Sequence, residues 1–166
     1  MKIKIKIAIA LYIMLVIHAC TDDKLEIERI PYIGNELRID GYYYKMYNDR
    51  ILTTFFFYRN GLTLDGGGAN INKSLEDKDS SFRSEAFIKS IGKYSWGVFV
   101  INGGNITINR WTYSPGLGSG LLALMQKGQI VNDTTFYLEQ SGKQYFYHFR
   151  QFSPKPDSIV ASKWIK

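Results

Sequence analysis

Cys20, the one cysteine of the chain, is the residue whose type and position point most directly to chemistry. A single cysteine cannot form an internal disulfide, and an unpaired thiol is a liability in an oxidising compartment. Three lysines open the chain, and an unbroken apolar run follows from Ile7 to Ile17. Such a run spans roughly 16 Å as a helix, about half of the hydrocarbon core of a bilayer. This beginning is therefore typical of a secretory signal peptide, which forms a short N-terminal signal helix.

The four residues that end the run, Ile17-His18-Ala19-Cys20, resemble the lipobox of bacterial lipoproteins. In that family a dedicated peptidase cleaves just before a cysteine that carries diacylglycerol. The resemblance implies cleavage between Ala19 and Cys20 and lipidation of Cys20. His18 departs from the pattern, since a small or apolar residue usually stands there. The alternative is an ordinary signal peptide followed by an incidental cysteine.

The residues after the cysteine, Thr21-Asp22-Asp23-Lys24, are polar and mostly charged. Acidic residues at this place resemble the surface-export signal of some Gram-negative bacteria. The alternative is that this charged stretch is only a solvated tether. Two acyl chains provide the stable attachment that one chain cannot. We therefore expect an outer-membrane lipoprotein of the cell envelope, held to the membrane through its lipid and facing either the cell exterior or the periplasm.

Removal of residues 1–19 lowers the number of basic residues from 21 to 18 against 15 acidic ones, a net charge of +3. The remaining cations are scattered, which disfavours a nucleic-acid partner. About 147 residues remain, enough for one domain with its own core but too few for two domains of typical size. We divide the chain into a signal peptide (1–19), a tether (20–40) and a single β-barrel domain (41–166).

The mature chain offers no recognisable catalytic set. With His18 removed, only His148 remains, so neither a Ser-His-Asp triad nor a two-histidine metal site can be assembled. Asp133 and Glu139 are separated by about 20 Å along a strand, too far for the carboxylate pair of a glycosidase. The stretch DGGGANINKS (65–74) lacks the glycine that a phosphate-binding loop needs directly before Lys-Ser. We expect no enzyme activity, no metal site and no cofactor.

Short strand-like runs separated by glycine and asparagine turns dominate the rest of the chain. Hairpins are predicted across 48–49, 60–61, 102–105 and 141–143, because asparagine and glycine tolerate the positive φ of tight turns. The most regular pair joins 94–101 to 105–113. One more strand lies in LLALMQKGQIVND, which gives seven or eight in all. The pattern predicts an all-β, mainly antiparallel meander, closed as a barrel or folded as a sandwich.

One segment, residues 71–93, interrupts this pattern because it is polar and charged. We expect an exposed loop followed by one short helix that packs against the barrel. Ser80 or Ser81 would cap this helix, and Phe87 and Ile91 would share its apolar face.

The stretches WGVFVINGGNITINRW and KGQIVNDTTFYL resemble the later strands of small lipocalin-like envelope lipoproteins. The resemblance covers residues 41–165 and implies a meander barrel of about eight strands. The GxW motif of true lipocalins is missing, since Trp96 precedes its glycine. The functions of that family are largely undefined.

The aromatic and branched residues of the strands are the remaining candidates for a site. Trp96, Val98 and Val100 share one strand face, and Ile106 and Ile108 share one on the partner strand, so the two faces form one wall if they coincide. The barrel interior is either a solid core or a pocket for a small apolar ligand. The predicted ligand-lining set is Trp96, Val98, Ile106, Ile108, Trp111, Phe136, Tyr145 and Phe149.

The sequence thus favours a non-enzymatic, lipid-anchored envelope protein. Its lipocalin-like barrel would bind a small hydrophobic ligand or an envelope partner protein. The alternative is a structural or interaction module of the cell envelope that binds no ligand.

Overall fold

The computed structural model describes residues 25–47, 50–68, 74–113 and 121–165. The predicted signal peptide, with Ala19 and Cys20, lies outside these residues. Within these ranges, eight antiparallel strands pair in chain order, and the last closes on the first to form a barrel. They are β1 (Gly41–Tyr47), β2 (Arg50–Phe57), β3 (Leu62–Asp65), β4 (Trp96–Asn102), β5 (Asn105–Tyr113), β6 (Leu121–Asn132), β7 (Thr135–Gln140) and β8 (Lys143–Gln151). The predicted all-β fold class is confirmed, and the meander is a closed barrel rather than a sandwich.

The turn between β4 and β5 shows why the sequence folds into hairpins. Gly103 and Gly104 have φ values of +58° and +81°, which side-chain-bearing residues rarely adopt. Asn102 therefore pairs directly with Asn105, and the predicted hairpin of 94–101 with 105–113 is confirmed. β7 and β8 join in the same way through a turn at 141–142 with positive φ.

Side chains of alternate residues fill the barrel interior. Phe57 of β2 lies 5.7 Å from Phe136 of β7, and Tyr43 of β1 lies 5.1 Å from the same ring, measured between ring centroids. Because β7 pairs with neither β1 nor β2, these contacts cross the barrel and identify its interior. The inner core consists of Tyr43, Phe55, Phe57, Phe99, Ile106, Ile108, Phe136, Leu138 and Tyr147, all almost fully buried.

A second apolar layer covers the outside of the barrel along β1 to β5. Helix α1 (Leu75–Arg83) places Phe82 on this wall, and the C-terminal segment adds Phe152, Ala161 and Ile165. A 3₁₀ turn at Ile159–Lys163 carries Ala161. The outer core of the barrel wall consists of Tyr42, Phe56, Leu62, Leu64, Trp96, Val98 and Trp111. Strands β1, β2, β4 and β5 therefore carry apolar side chains on both faces, whereas the inner face of β3 carries Thr63 and Asp65.

The predicted helical insertion between β3 and β4 is present, and Ser84 divides it into α1 and α2 (Glu85–Ser90). Ser74 caps α1 through a capping box with Asp77. The predicted cap at Ser80 or Ser81 is wrong, since both lie inside α1. Their hydroxyls fall too late in the polar stretch, because the helix already begins at Leu75.

Phe87 on α2 and Ile91 both pack against the outer core, although Ile91 follows the helix as its C-cap and does not share a helical face with Phe87. Arg150 on β8 attaches α1 to the barrel through Asp79, with 2.7 Å between Nη2 and Oδ2. A 3₁₀ turn at Lys93–Ser95 then leads into β4.

Residues 32–39 cross the end of the barrel at which the β4–β5 turn lies, which we call the closed end. The ring of Tyr32 lies 5.5 Å from that of Phe99, and its hydroxyl accepts a 2.8 Å hydrogen bond from the Leu37 amide. Tyr43 donates a 2.7 Å hydrogen bond to the carbonyl of Asp133 in the β6–β7 turn. The inner core is thus sealed at this end.

Over the described ranges, no helix has both the length and the apolar character that a membrane span requires.

Candidate ligand site in the barrel mouth

The predicted ligand-lining residues do not lie on one wall. The two-residue turn pairs Phe99 with Ile108 and Val98 with Asn109, so Val98 and Ile108 face opposite sides of the sheet. Trp96, Val98 and Trp111 belong to the outer core, under the α1 side of the barrel. The two faces, which would have formed one wall had they coincided, therefore lie on opposite sides of the sheet.

Ile106, Ile108 and Phe136 do face the interior, in the half nearer the closed end. That half is packed with rings at contact distance. Phe57 and Phe99 lie 4.7 Å apart, and Phe136 stacks on Tyr147 at 4.9 Å, between ring centroids. These side chains pack against one another as a core.

The interior becomes polar toward the opposite end, which we call the mouth. This end carries the 141–142 turn and the beginnings of β4 and β6. Alternate positions of six strands place polar side chains on the inner face here. We call this set the mouth cluster: Lys45, Thr53, Asp65, Arg110, Gln126, Tyr145 and Tyr147.

Arg110 is fixed in the mouth cluster by partners on two other strands. Its Nη1 donates a 2.9 Å hydrogen bond to Asp65, and its Nε donates one of 3.2 Å to the Gln126 side chain. The guanidinium carbon lies 5.6 Å from the centroid of the Phe55 ring, which belongs to the inner core. The side chains of Arg110 and Asp65 are only 17% and 22% exposed, so this ion pair is largely shielded from solvent.

Lys45 is the second cation of the cluster. Its Nζ lies 4.3 Å from the centroid of the Tyr145 ring and 5.8 Å from that of Tyr147. Within the described ranges no carboxylate forms a salt bridge with it. Burial lowers the pKa of Lys45, and the nearby Arg110 guanidinium lowers it further.

Two tyrosines supply aromatic surface and hydroxyl groups. Burial raises the pKa of Tyr147 to about 12, although Arg110 and a hydrogen bond with Thr53 oppose this rise. Its hydroxyl is therefore neutral at physiological pH. Tyr145, a member of the predicted lining set, is half-buried in the cluster. Phe149, the last member of that set, instead lies near the closed end under the guanidinium of Arg38, 4.4 Å from its ring centroid.

The charged members of the cluster were not predicted from the sequence. A signal for them was present, because Arg110 follows Ile108 by two residues and Lys45 follows Tyr43 by two. Each charge therefore continues an interior face that begins apolar. Asp65 is the last residue of the short strand β3. The face on which its side chain lies could not be predicted without the register of β3 against β2.

In the described part of the chain, no group of three or more His, Cys, Asp and Glu side chains could hold a metal ion. His148 lies exposed on the outer wall, with its ring 6.2 Å from that of Tyr44.

A separate cleft of about 290 Å³ lies outside the barrel at the closed end, between residues 30–36 and β4. Apolar side chains dominate it, and Ile33 at its edge is 93% exposed.

No protein-family model, no curated protein and no solved structure matches the chain. The closed barrel of eight antiparallel strands in meander order is consistent with a lipocalin-like barrel.

Proposed function

We propose that this protein is a lipid-anchored protein of the cell envelope whose barrel binds a small ligand at its mouth. The observation that carries the proposal is the division of the interior. Rings fill the half at the closed end, whereas the mouth holds two cations, Lys45 and Arg110, of which only Arg110 has a carboxylate partner among the described residues. A solid core needs no buried charges, so their presence favours a binding role.

The same division limits the size of the ligand. Phe57, Phe99 and Phe136 occupy the depth of the barrel, so a long chain cannot run down its axis. The ligand is a compact molecule that occupies the mouth and contacts the ring of Tyr145 with its apolar part.

The anchor part of the proposal rests on Cys20 and on the short distance from it to the barrel. Leu25 and Ile27 pack against the outer core, and the Glu26 amide donates a 2.6 Å hydrogen bond to the Asn109 side chain on β5. Five residues span at most about 17 Å, so lipid on Cys20 would hold the barrel close to the bilayer surface.

The anchor is tested by changing Cys20→Ser in the full chain and labelling cells with a radioactive fatty acid. We expect the variant to lose the label and to leave the membrane fraction, while Thr21→Ser as a matched control keeps both. A Cys20→Ser variant that still takes up label would overturn the anchor.

The ligand site is tested on the chain from Thr21 to Lys166, which contains every described residue. A neutral probe, N-phenyl-1-naphthylamine, and an anionic one, 1-anilinonaphthalene-8-sulfonate, are titrated with a thermal melt to verify folding. We expect saturable binding of at least one probe, weakened by Tyr145→Ala and unchanged by Phe146→Ala. Phe146 is a suitable control because it follows Tyr145 in β8 but lies on the opposite face of the strand, exposed on the outer wall.

A second candidate function is that of a scaffold that binds no small molecule. The packed rings at the closed end favour it, since the barrel is stable without a ligand in that half. Fatty-acid labelling at Cys20 together with a folded chain that binds neither probe would establish the scaffold and remove the ligand site.

A further inference from the structure

We infer that the mouth cluster binds an organic anion, whose charged group lies between Lys45 and Arg110. This inference rests on the proposed ligand site and names the chemical class of its ligand. The cluster contains two cations and one carboxylate, Asp65. The described interior therefore carries an excess positive charge on partly buried side chains.

Lys45 is the first reason for the inference. A partly buried ammonium group normally pairs with a carboxylate or with carbonyl oxygens. Lys78 and Lys155 follow this rule, since each donates hydrogen bonds to two backbone carbonyls. Lys45 instead contacts two aromatic ring faces, and among the described residues no oxygen accepts a hydrogen bond from its Nζ. Its N–H groups are therefore available to a ligand.

Arg110 supplies the second set of donors. Its Nη1 and Nε are engaged with Asp65, Gln126 and the Trp111 carbonyl. Its Nη2 has no hydrogen-bond partner within the described ranges. The ion pair with Asp65 fixes the guanidinium plane, so its Nη2 is held in a fixed position within the mouth cluster.

The effect of the two cations on each other is the third reason. Both side chains lie on the inner face near the mouth, and the Arg110 charge contributes to the lowered pKa of Lys45. An anionic oxygen placed between them would convert this repulsion into two attractions. The hydroxyl of Tyr147, neutral at physiological pH, adds a further donor nearby.

The rest of the ligand follows from the surroundings. Phe55 lies beneath Arg110 and the Tyr145 ring beneath Lys45, so an apolar body finds aromatic surface next to the anionic group. The packed inner core excludes this body from the depth of the barrel, and it extends toward the rim. Carboxylates and phosphate monoesters with a short apolar body share this chemistry.

The test is a competition experiment on the folded chain from Thr21 to Lys166. Bound 1-anilinonaphthalene-8-sulfonate is displaced by octanoate, octyl phosphate, inorganic phosphate or octanol. We expect octanoate or octyl phosphate to compete at least about tenfold better than octanol, which has the same chain without the charge. The better of the two anions identifies the head group, and competition by inorganic phosphate alone would identify a free ion rather than an amphiphile.

Two variants test whether Lys45 and Arg110 bind the anionic group of the ligand. Lys45→Gln leaves no described partner unpaired, so it should fold, and we expect it to weaken anion binding about tenfold or more. Arg110→Lys keeps the charge beside Asp65 but loses the second N–H edge, and it should weaken binding as well. Lys127→Gln is the matched control, because Lys127 is an exposed lysine on the outer face of β6.

The outcomes separate this inference from the proposed function. Saturable binding of the neutral probe, together with equal competition by octanol and octanoate, would refute the inference that the ligand is an anion. It would leave the proposed ligand site in place. Normal anion binding by Lys45→Gln would likewise overturn the inference. A chain that binds no probe at all would overturn both.

Discussion

Arg110 and Asp65 form a 2.9 Å ion pair inside the barrel although their strands, β5 and β3, do not pair with each other. The other oxygen of Asp65 accepts a 2.8 Å hydrogen bond from the Gly67 amide just after β3. Asp65 thus fixes the guanidinium from across β4. It also neutralises one of the two cations that the mouth presents to a ligand.

Removal of this carboxylate should therefore favour an anionic ligand. We expect Asp65→Asn to raise the affinity of 1-anilinonaphthalene-8-sulfonate about threefold to tenfold, since Arg110 loses its competing partner. The free energy of unfolding should fall by about 1–3 kcal/mol, because a partly buried guanidinium loses its counter-charge. Probe titration and urea denaturation measure the two effects. Glu139→Gln on the outer wall is the control, and weaker binding by Asp65→Asn would contradict the arrangement.

Asn109 attaches the N-terminal segment to the barrel. Its Oδ1 accepts hydrogen bonds from the amides of Glu26 and Ile27, at 2.6 Å and 3.2 Å. The side chain is fully buried, so Asn109→Ala should leave these amides without an acceptor and cost about 1–3 kcal/mol of the free energy of unfolding. Amide hydrogen exchange at Ile27 should accelerate. Asn102→Ala, at an exposed position, should change neither the free energy of unfolding nor the exchange rate of the Ile27 amide. If the Ile27 amide exchanged as slowly in Asn109→Ala as in the parent, Asn109 would not attach the N-terminal segment.

The strand order and the hairpins could be predicted because turn chemistry is local. Gly103 and Gly104 adopt a positive φ that few other residues accept, and this alone fixes the register of β4 and β5. The same register pairs Phe99 with Ile108. Counting residues outward from the two-residue turn therefore suffices to place Trp96 and Ile108 on opposite faces of the sheet.

The inside of the barrel could not be recognised from periodicity, because several strands are apolar on both faces. In β1, Tyr42 belongs to the outer core and Tyr43 to the inner core, while in β2 Phe56 and Phe57 divide in the same way. The outer face is apolar because α1 and the C-terminal segment cover it. Those contacts are distant in sequence, and no local pattern reports them.

Trp96 provides a test of the two-core arrangement. Its indole is fully buried in the outer core, 5.7 Å from the Tyr58 ring, and no described residue accepts a hydrogen bond from its Nε1. Trp96→Ala should cost about 3–5 kcal/mol of the free energy of unfolding. Trp96→Phe should cost less than about 1.5 kcal/mol, because it keeps most of the packed area and removes an unpaired donor. Denaturant unfolding measures both.

Probe binding distinguishes the outer position of Trp96 from an inner one. Because its side chain lies outside the barrel, Trp96→Phe should bind the probes of the mouth cluster as the parent does. Trp164→Phe, at a partly exposed position, is the matched control for tryptophan removal. A Trp96→Phe variant that folds normally but loses probe binding would place the indole in the ligand site.

Lys155 makes the stability of the fold depend on pH. Its Nζ donates hydrogen bonds to the carbonyls of Ile39 and Phe57, at 2.6 Å and 2.7 Å, and burial lowers its pKa from 10.5 to about 8. Between these two values the unfolded chain binds a proton that the folded chain has released, so the free energy of unfolding rises with pH. We expect a rise on the order of 1 kcal/mol from about pH 7.5 to about pH 9.5, measured by urea denaturation. Above this range buried tyrosines such as Tyr58, whose pKa burial raises, reverse the trend. Lys155→Met should abolish the rise, whereas Lys163→Met, at an exposed position, should keep it. If the free energy of unfolding rose equally with pH in the parent and in both variants, Lys155 would not be the source of the rise.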